Sequence, residues 1–300
     1  MKIGIKRINR VTITSTVVLT AGAVLASGAF ASAAQAATAP PAPSIVAKGG
    51  FVVNSGTGKA LYSKTADTRR STGSTTKIMT ALVVLKQKNV NLKSQVTIQK
   101  AYSDYIVSKN ASSARLIVGD KVTVGQLLYG LMLPSGCDAA YALADKFGTG
   151  KTRDARVKSF IGKMNATAKS LKLKNTNFDS FDGIGGGKNY STPRDLTIIA
   201  REAMKNSTFR TVVKTKSTKQ TVTMKNGGKR VMSWANTNKM LSSYSGAIGV
   251  KTGSGPTAKY CLVFAATRNG KTVIGTVLTS TNESTRTADA KKLMDYGFKR

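Results

Sequence analysis

The chain has 300 residues, 41% of them apolar, and its 47 basic against 13 acidic residues give a formal net charge of +34. The length is ample for one large domain or two small ones, and the apolar share is that of an ordinary globular protein. There is no His, which excludes Ser-His-Asp and Cys-His catalysis and argues against most peptidase zinc sites. The basic residues are scattered and the aromatics sparse, which argues against a nucleic-acid partner; the charge instead suits a solvated surface among anionic wall polymers.

At the N-terminus, Lys2, Lys6, Arg7 and Arg10 precede a small, apolar run from Val11 to Ala31 and then Ala34-Gln35-Ala36. This predicts a secretory signal peptide over residues 1–36. The Pro- and Ala-rich stretch that follows predicts a linker over 37–46, and the remainder, 47–300, a single catalytic domain. No later segment is apolar enough to span a bilayer. A secreted monomer is expected, at the cell wall or loosely held at the outer face of the membrane.

Gly50–Val53 and Ala60–Ser63 are predicted strands around Asn54-Ser55-Gly56-Thr57-Gly58, a hairpin. A helix follows from Ser74 to about Lys88. Helical spacing recurs over Thr123–Leu133, Asp138–Phe147 and Ala155–Leu171, and Thr192-Pro193 opens another helix running to about Lys205. The last third turns to strands: Gln220–Met224 and Arg230–Trp234 flank Asn226-Gly227-Gly228. Ala247–Lys251, Tyr260–Ala266 and Thr272–Thr279 come next, the last two joined by Asn269-Gly270, before a closing helix over Thr287–Phe298. This order predicts an α+β fold, with one sheet built from 47–65 and 210–300 and a helical part over roughly 90–206.

Three short motifs carry the chemistry. Ser74 is the only Ser with Lys three positions on, and Lys251-Thr252-Gly253 is the only K-[ST]-G. Between them lies Pro134-Ser135-Gly136-Cys137-Asp138, where one apolar helix ends and another begins. A Ser hydroxyl is a poor nucleophile until a base removes its proton. With no His, the neutral amine of Lys77 is the available base; burial and a second cation both favour a neutral amine, and Lys251 is the candidate second cation. Ser135 is a candidate proton relay. The amides of Ser74 and of the residue after Gly253 are candidates for an oxyanion hole. No metal or cofactor is called for.

This set resembles that of penicillin-binding proteins and class A β-lactamases. The context is more specific. The stretch from Ser74 to Leu82 resembles the nucleophile helix of serine D-Ala-D-Ala carboxypeptidases; Gln126–Met132 leading into Ser135-Gly136 and Asp138-Ala139-Ala140 resembles their second motif. Phe181-Asp182-Gly183 with Ser191–Leu196 resembles their loop and following helix. The likeness covers nearly all of Gly49–Phe298. It implies a DD-peptidase/β-lactamase-like fold, mainly antiparallel sheet flanked by helices, with a helical subdomain and the site at the seam. It implies that Ser74 forms the acyl-enzyme, Lys77 is its base and Ser135 relays the proton. Lys251 and Thr252 would bind the carboxylate of a peptidoglycan stem peptide ending in D-Ala-D-Ala, or of a β-lactam, and Ser254 beyond Gly253 would complete the oxyanion hole.

One position departs from the pattern: Cys137 stands where the family has Asn. An amide donates to and accepts from a substrate backbone, and a thiol does both poorly. This Cys is similar to that of a small secreted branch of DD-transpeptidases, and favours transfer to an amine over hydrolysis. Three readings of the thiol remain open: a substitute for Asn, half of a disulfide with Cys261, or the nucleophile itself. Two free thiols are favoured. Two other functions compete, a β-lactamase and a catalytically silent wall-binding protein. The first requires a Glu-activated water, yet the only glutamates are Glu202 and Glu283.

Overall fold

A computed structural model describes residues 40–300; the expected signal segment lies outside them. Strands β1 (Gly49–Asn54) and β2 (Ala60–Lys64) form the first hairpin, its turn held by Asn54 Oδ1, which accepts the amides of Gly56 and Thr57. A 3-10 turn (Gly73–Thr76) then runs directly into α1 (Lys77–Leu85). Every residue of α1 but Leu85 is buried, as befits a helix apolar all round. Truncating such a side chain, Leu82→Ala for instance, costs about 2–5 kcal/mol.

The middle of the chain supplies β3 (Gln95–Thr97), α2 (Lys100–Lys109), β4 (Lys121–Thr123), α3 (Val124–Met132), α4 (Cys137–Phe147), α5 (Arg153–Ser170), α6 (Pro193–Ala203) and α7 (Ser207–Lys214). Their starts follow local chemistry. Thr123 and Gln126 make a reciprocal capping box on α3, and Thr192 caps α6 with Pro193 in its first turn. The last third gives β5 (Ser217–Thr223), β6 (Lys229–Ala235), α8 (Met240–Ser243), β7 (Ala247–Gly255), β8 (Lys259–Arg268), β9 (Lys271–Ser280) and α9 (Glu283–Phe298).

These strands form two sheets, where one was expected. The five-stranded sheet has the order β2-β1-β9-β8-β7, every described pair antiparallel. It joins both ends of the chain and leaves β7 at an edge. The β5–β6 hairpin does not join it. It pairs through Thr223 with Lys121 of β4, completing a four-stranded sheet β3-β4-β5-β6 on the helical side. The expected span of sheet from 210 to 300 is therefore divided. The reason is the length of β3 and β4: three residues each show no alternation to read, so the partners of β5 were invisible.

Both faces of the large sheet are covered, so its central strands read as unbroken buried runs. Phe51, Val53, Val263, Ala265 and Ile274 face the core shared with the helices around α1. Val52, Leu262, Phe264, Val273 and Val277 face Ala290, Leu293 and Met294 of α9. The end of the expected linker is fastened here too, since Asp289 accepts the amides of Val46 and Ala47 at 3.1 and 2.7 Å. No helix among the described residues is long and apolar enough to cross a membrane.

Candidate active site

The nucleophile candidate sits at the junction of the 3-10 turn and α1. Residues i and i+3 eclipse in 3-10 geometry, which brings the Lys77 Nζ to 2.8 Å from the Ser74 Oγ, donating to it. The same nitrogen donates to the Asp182 carbonyl at 3.2 Å and to the Cys137 Sγ at 3.3 Å. Lys77 is fully buried, so these three acceptors are what compensate its desolvation. Asp182 is itself held by Tyr105, whose hydroxyl donates to Oδ2 at 2.9 Å, and by the Ile184 amide on Oδ1.

Close backbone approach brings β7 against this turn. A Cβ on Gly73 would lie 2.7 Å from the Ser254 carbonyl oxygen, and one on Gly253 would lie 2.7 Å from that of Thr72. Gly73 also has φ +49°, a conformation that strains other residues. Asn189 braces the turn from behind, its Nδ2 donating to the hydroxyls of Thr72 and Thr76.

Ser135, between α3 and α4, also adopts a left-handed backbone, φ +65°. Its carbonyl accepts from the Ser112 hydroxyl at 2.6 Å, while its own Oγ is buried and has no partner among the described residues. A buried hydroxyl left free is uncommon, and this one lines the same cleft as Ser74. Cys137, the first residue of α4, is fully buried. Burial pushes its thiol pKa up, against the opposing pull of the Lys77 charge. Cys261 is buried in β8 with its Sγ 3.3 Å from the Ala258 carbonyl, and burial raises its pKa to about 11. Both cysteines are free, which removes the disulfide reading and agrees with the favoured one.

Lys251 is 1% exposed, and its Nζ donates to the Thr252 carbonyl at 3.0 Å. Burial, and next the charge of Lys77, push its pKa well below the ordinary lysine value. The Thr252 hydroxyl pairs with that of Thr237 at 2.7 Å. Thr252, Gly253 and Ser254 line a cleft of about 360 Å³ together with Ser74, Ser112 and Ser135. Every residue singled out in the three motifs is thus on this cleft or directly behind it.

Several neighbours had no motif to announce them. Arg286 lines the cleft from α9, 5% exposed, with its Nε buried and unpartnered. Its Nη2 meets Glu283 at 3.2 Å, and Glu283 in turn meets Lys239 at 3.4 Å. Burial lowers the Arg286 pKa, with Glu283 opposing. The helix was expected to begin at Thr287; it begins at Glu283 because the Asn282 side chain accepts the Thr285 amide as an N-cap. Reading that cap in the sequence would have put Arg286 in the first turn. The other glutamate, Glu202, is tied to Lys86 and Lys205. No cluster of His, Cys, Asp or Glu among the described residues has the makings of a metal site.

Comparison with known proteins agrees with this geometry. The chain is 72% identical to the D-alanyl-D-alanine carboxypeptidase of Streptomyces sp. (strain K15), over 87% of this chain and 90% of that one. It is 32% identical to DacF of Bacillus subtilis, over 84% of this chain and 62% of that protein. Among solved structures, the Streptomyces K15 DD-transpeptidase superposes with a TM-score of 0.86 at 72% identity, covering 86% of this chain and 99% of that one. The D-alanyl-D-alanine carboxypeptidase from Mycobacterium tuberculosis gives 0.76 at 29% identity, covering 87% and 94%. The family model described as D-alanyl-D-alanine carboxypeptidase, peptidase S11, matches residues 33–282. With the Ser-Lys pair in contact, and the second and third motifs on the same cleft, the chain belongs to this family of serine, penicillin-binding DD-peptidases.

Proposed function

We propose that Ser74 is the acyl-enzyme residue, and that the 2.8 Å contact between Lys77 Nζ and Ser74 Oγ is the observation that carries the assignment. Lys77, as the neutral amine, takes the hydroxyl proton while Ser74 attacks the carbonyl of the penultimate D-Ala. The amides of Ser74 and Ser254 receive the oxyanion. Ser135, whose Oγ has no other partner, passes a proton to the departing D-Ala amine. Lys251, Thr252 and Arg286 take the terminal carboxylate, Thr252 and Arg286 by lining the cleft and Lys251 from beneath it. An amine acceptor or water then resolves the ester. Treatment with benzylpenicillin, followed by intact-mass measurement and peptide mapping, is expected to give one adduct, on Ser74. An adduct elsewhere, or none, refutes the assignment.

Cys137 sets the balance between transfer and hydrolysis in this reading. A thiol offers Lys77 one weak acceptor in place of an amide's carbonyl and gives the substrate backbone no strong donor. Incubating the mature chain with a diacylated D-Ala-D-Ala peptide, with and without Gly, is expected to give transfer product as the larger share when Gly is present. Hydrolysis alone under both conditions refutes this role. We further propose that the chain acts after export, as a monomer among anionic wall polymers. The support is the leader-like sequence of residues 1–36 and the net charge of +34. Size-exclusion chromatography of culture-supernatant protein tests both points.

A further inference from the structure

A second cleft, of about 430 Å³, adjoins the first and shares Ser254 with it. One wall is the turn from Ser254 to Ala258, the other the loop around Gly183–Tyr190, and Arg69 and Arg70 close one side. No Asp or Glu lines it. Of the acids beneath the loop, Asp182 accepts the Ile184 amide on Oδ1 and the Tyr105 hydroxyl on Oδ2, and Asp179 accepts the Lys188 amide on Oδ2 while its Oδ1 is buried without a partner among the described residues. The Arg69 guanidinium is held in place from two sides. Its Nε donates to Asn175 Oδ1 at 3.2 Å, and its centre lies 4.8 Å from the Tyr190 ring centroid. No ion pair occupies Arg69 or Arg70 among the described residues. Arg70 donates through Nη2 to the Lys48 carbonyl, and its buried Nε has no partner.

The direction of the substrate says what reaches this cleft. With the donor's terminal carboxylate beside Thr252 and Arg286 and its scissile carbonyl at Ser74 and Ser254, the peptide runs antiparallel to β7. A strand advances about 3.3 Å per residue, so the residue before D-Ala-D-Ala lies opposite Ser254 and Gly255, at the mouth of the second cleft. We propose that this cleft is a donor subsite for an anionic side chain, and that Arg69, with Arg70 behind it, selects stem peptides whose residue before D-Ala-D-Ala carries a free carboxylate. A planar, fixed guanidinium with open donors is suited to a carboxylate. This rests on the DD-peptidase reading above.

The test compares N-acetyl-Glu-D-Ala-D-Ala with N-acetyl-Gln-D-Ala-D-Ala, which differ only in charge at the residue concerned. The wild-type chain is expected to release D-Ala from the Glu peptide with a kcat/KM about tenfold higher, and the preference should shrink in 1 M salt. Arg69→Gln should bring the ratio close to unity, whereas Arg69→Lys should keep part of it. Arg69 is exposed, so folding does not depend on it. Equal wild-type rates for the two peptides, or a preference that survives Arg69→Gln, overturn the subsite. Acylation of wild-type Ser74 by benzylpenicillin separates the two levels. If it occurs and the peptides do not differ, only the subsite fails; if neither acylation nor peptide turnover occurs, the underlying reading fails and the subsite with it.

Discussion

The close approach of β7 to the turn that carries Ser74 can be tested by adding a single methyl group. In Gly73→Ala the new Cβ would sit 2.7 Å from the Ser254 carbonyl oxygen and 3.0 Å from its amide nitrogen. Neither neighbour yields easily: β7 is paired with β8 along its length, and the turn is braced by Asn189. A left-handed backbone at φ +49° adds about 1–2 kcal/mol of strain for any residue with a Cβ. Gly270 is the control. It has φ +74°, and an added Cβ meets nothing within 4 Å, so Gly270→Ala carries similar backbone strain without touching the site. Both variants should lower the thermal midpoint by a few degrees. Gly73→Ala alone should slow acylation by benzylpenicillin, roughly tenfold to a hundredfold, because displacements well under 1 Å at reacting atoms are already felt. The assay is stopped-flow or quenched acylation alongside scanning calorimetry. Equal acylation rates in the two variants would show that the approach of Ser254 to Gly73 does not position the nucleophile.

Other outcomes follow from the same structure. On the proposed reading, Arg286→Gln removes one charged partner of the substrate carboxylate, which should cost about 2 kcal/mol, or roughly thirtyfold in kcat/KM for D-Ala-D-Ala peptides; a KM and kcat within twofold of wild type would remove it from the site. Cys137→Asn should shift partition toward hydrolysis in the peptide assay with Gly, and an unchanged product ratio would clear Cys137 of that role. Asp145 is buried, which by itself raises its carboxyl pKa, but hydrogen bonds from Arg156, Tyr102 and Arg153 outweigh burial and leave it below the ordinary value. Its stabilising contribution is therefore present above the unfolded-chain value of about 3.9 and is lost as the pH falls through the lower folded value. Asp145→Asn should flatten that acid limb in urea titrations at successive pH values, and an acid limb identical to wild type would refute the assignment.

Much of this protein was legible in its residues. The absence of His left Lys77 as the candidate base for Ser74, and i,i+3 spacing at a helix start was enough to bring the two side chains together, because that contact is local. Asn269-Gly270 announced the β8–β9 hairpin for the same reason: both residues take the left-handed backbone the turn requires, at φ +48° and +74°. Helix α6 was marked by its own cap, Thr192-Pro193, and α3 by its apolar spacing. What the sequence did not reveal depends on contacts between distant segments. The four-stranded sheet exists only because Lys121 meets Thr223. Arg286 reaches the cleft only because α9 packs on the far face of the large sheet, and Cys137 touches Lys77 only because α4 packs against α1. Local pattern determined which side chains have the chemistry; the packing of α4, α9 and β7 around the turn that carries Ser74 decided which of them share a cleft, since only burial between distant segments sets those distances.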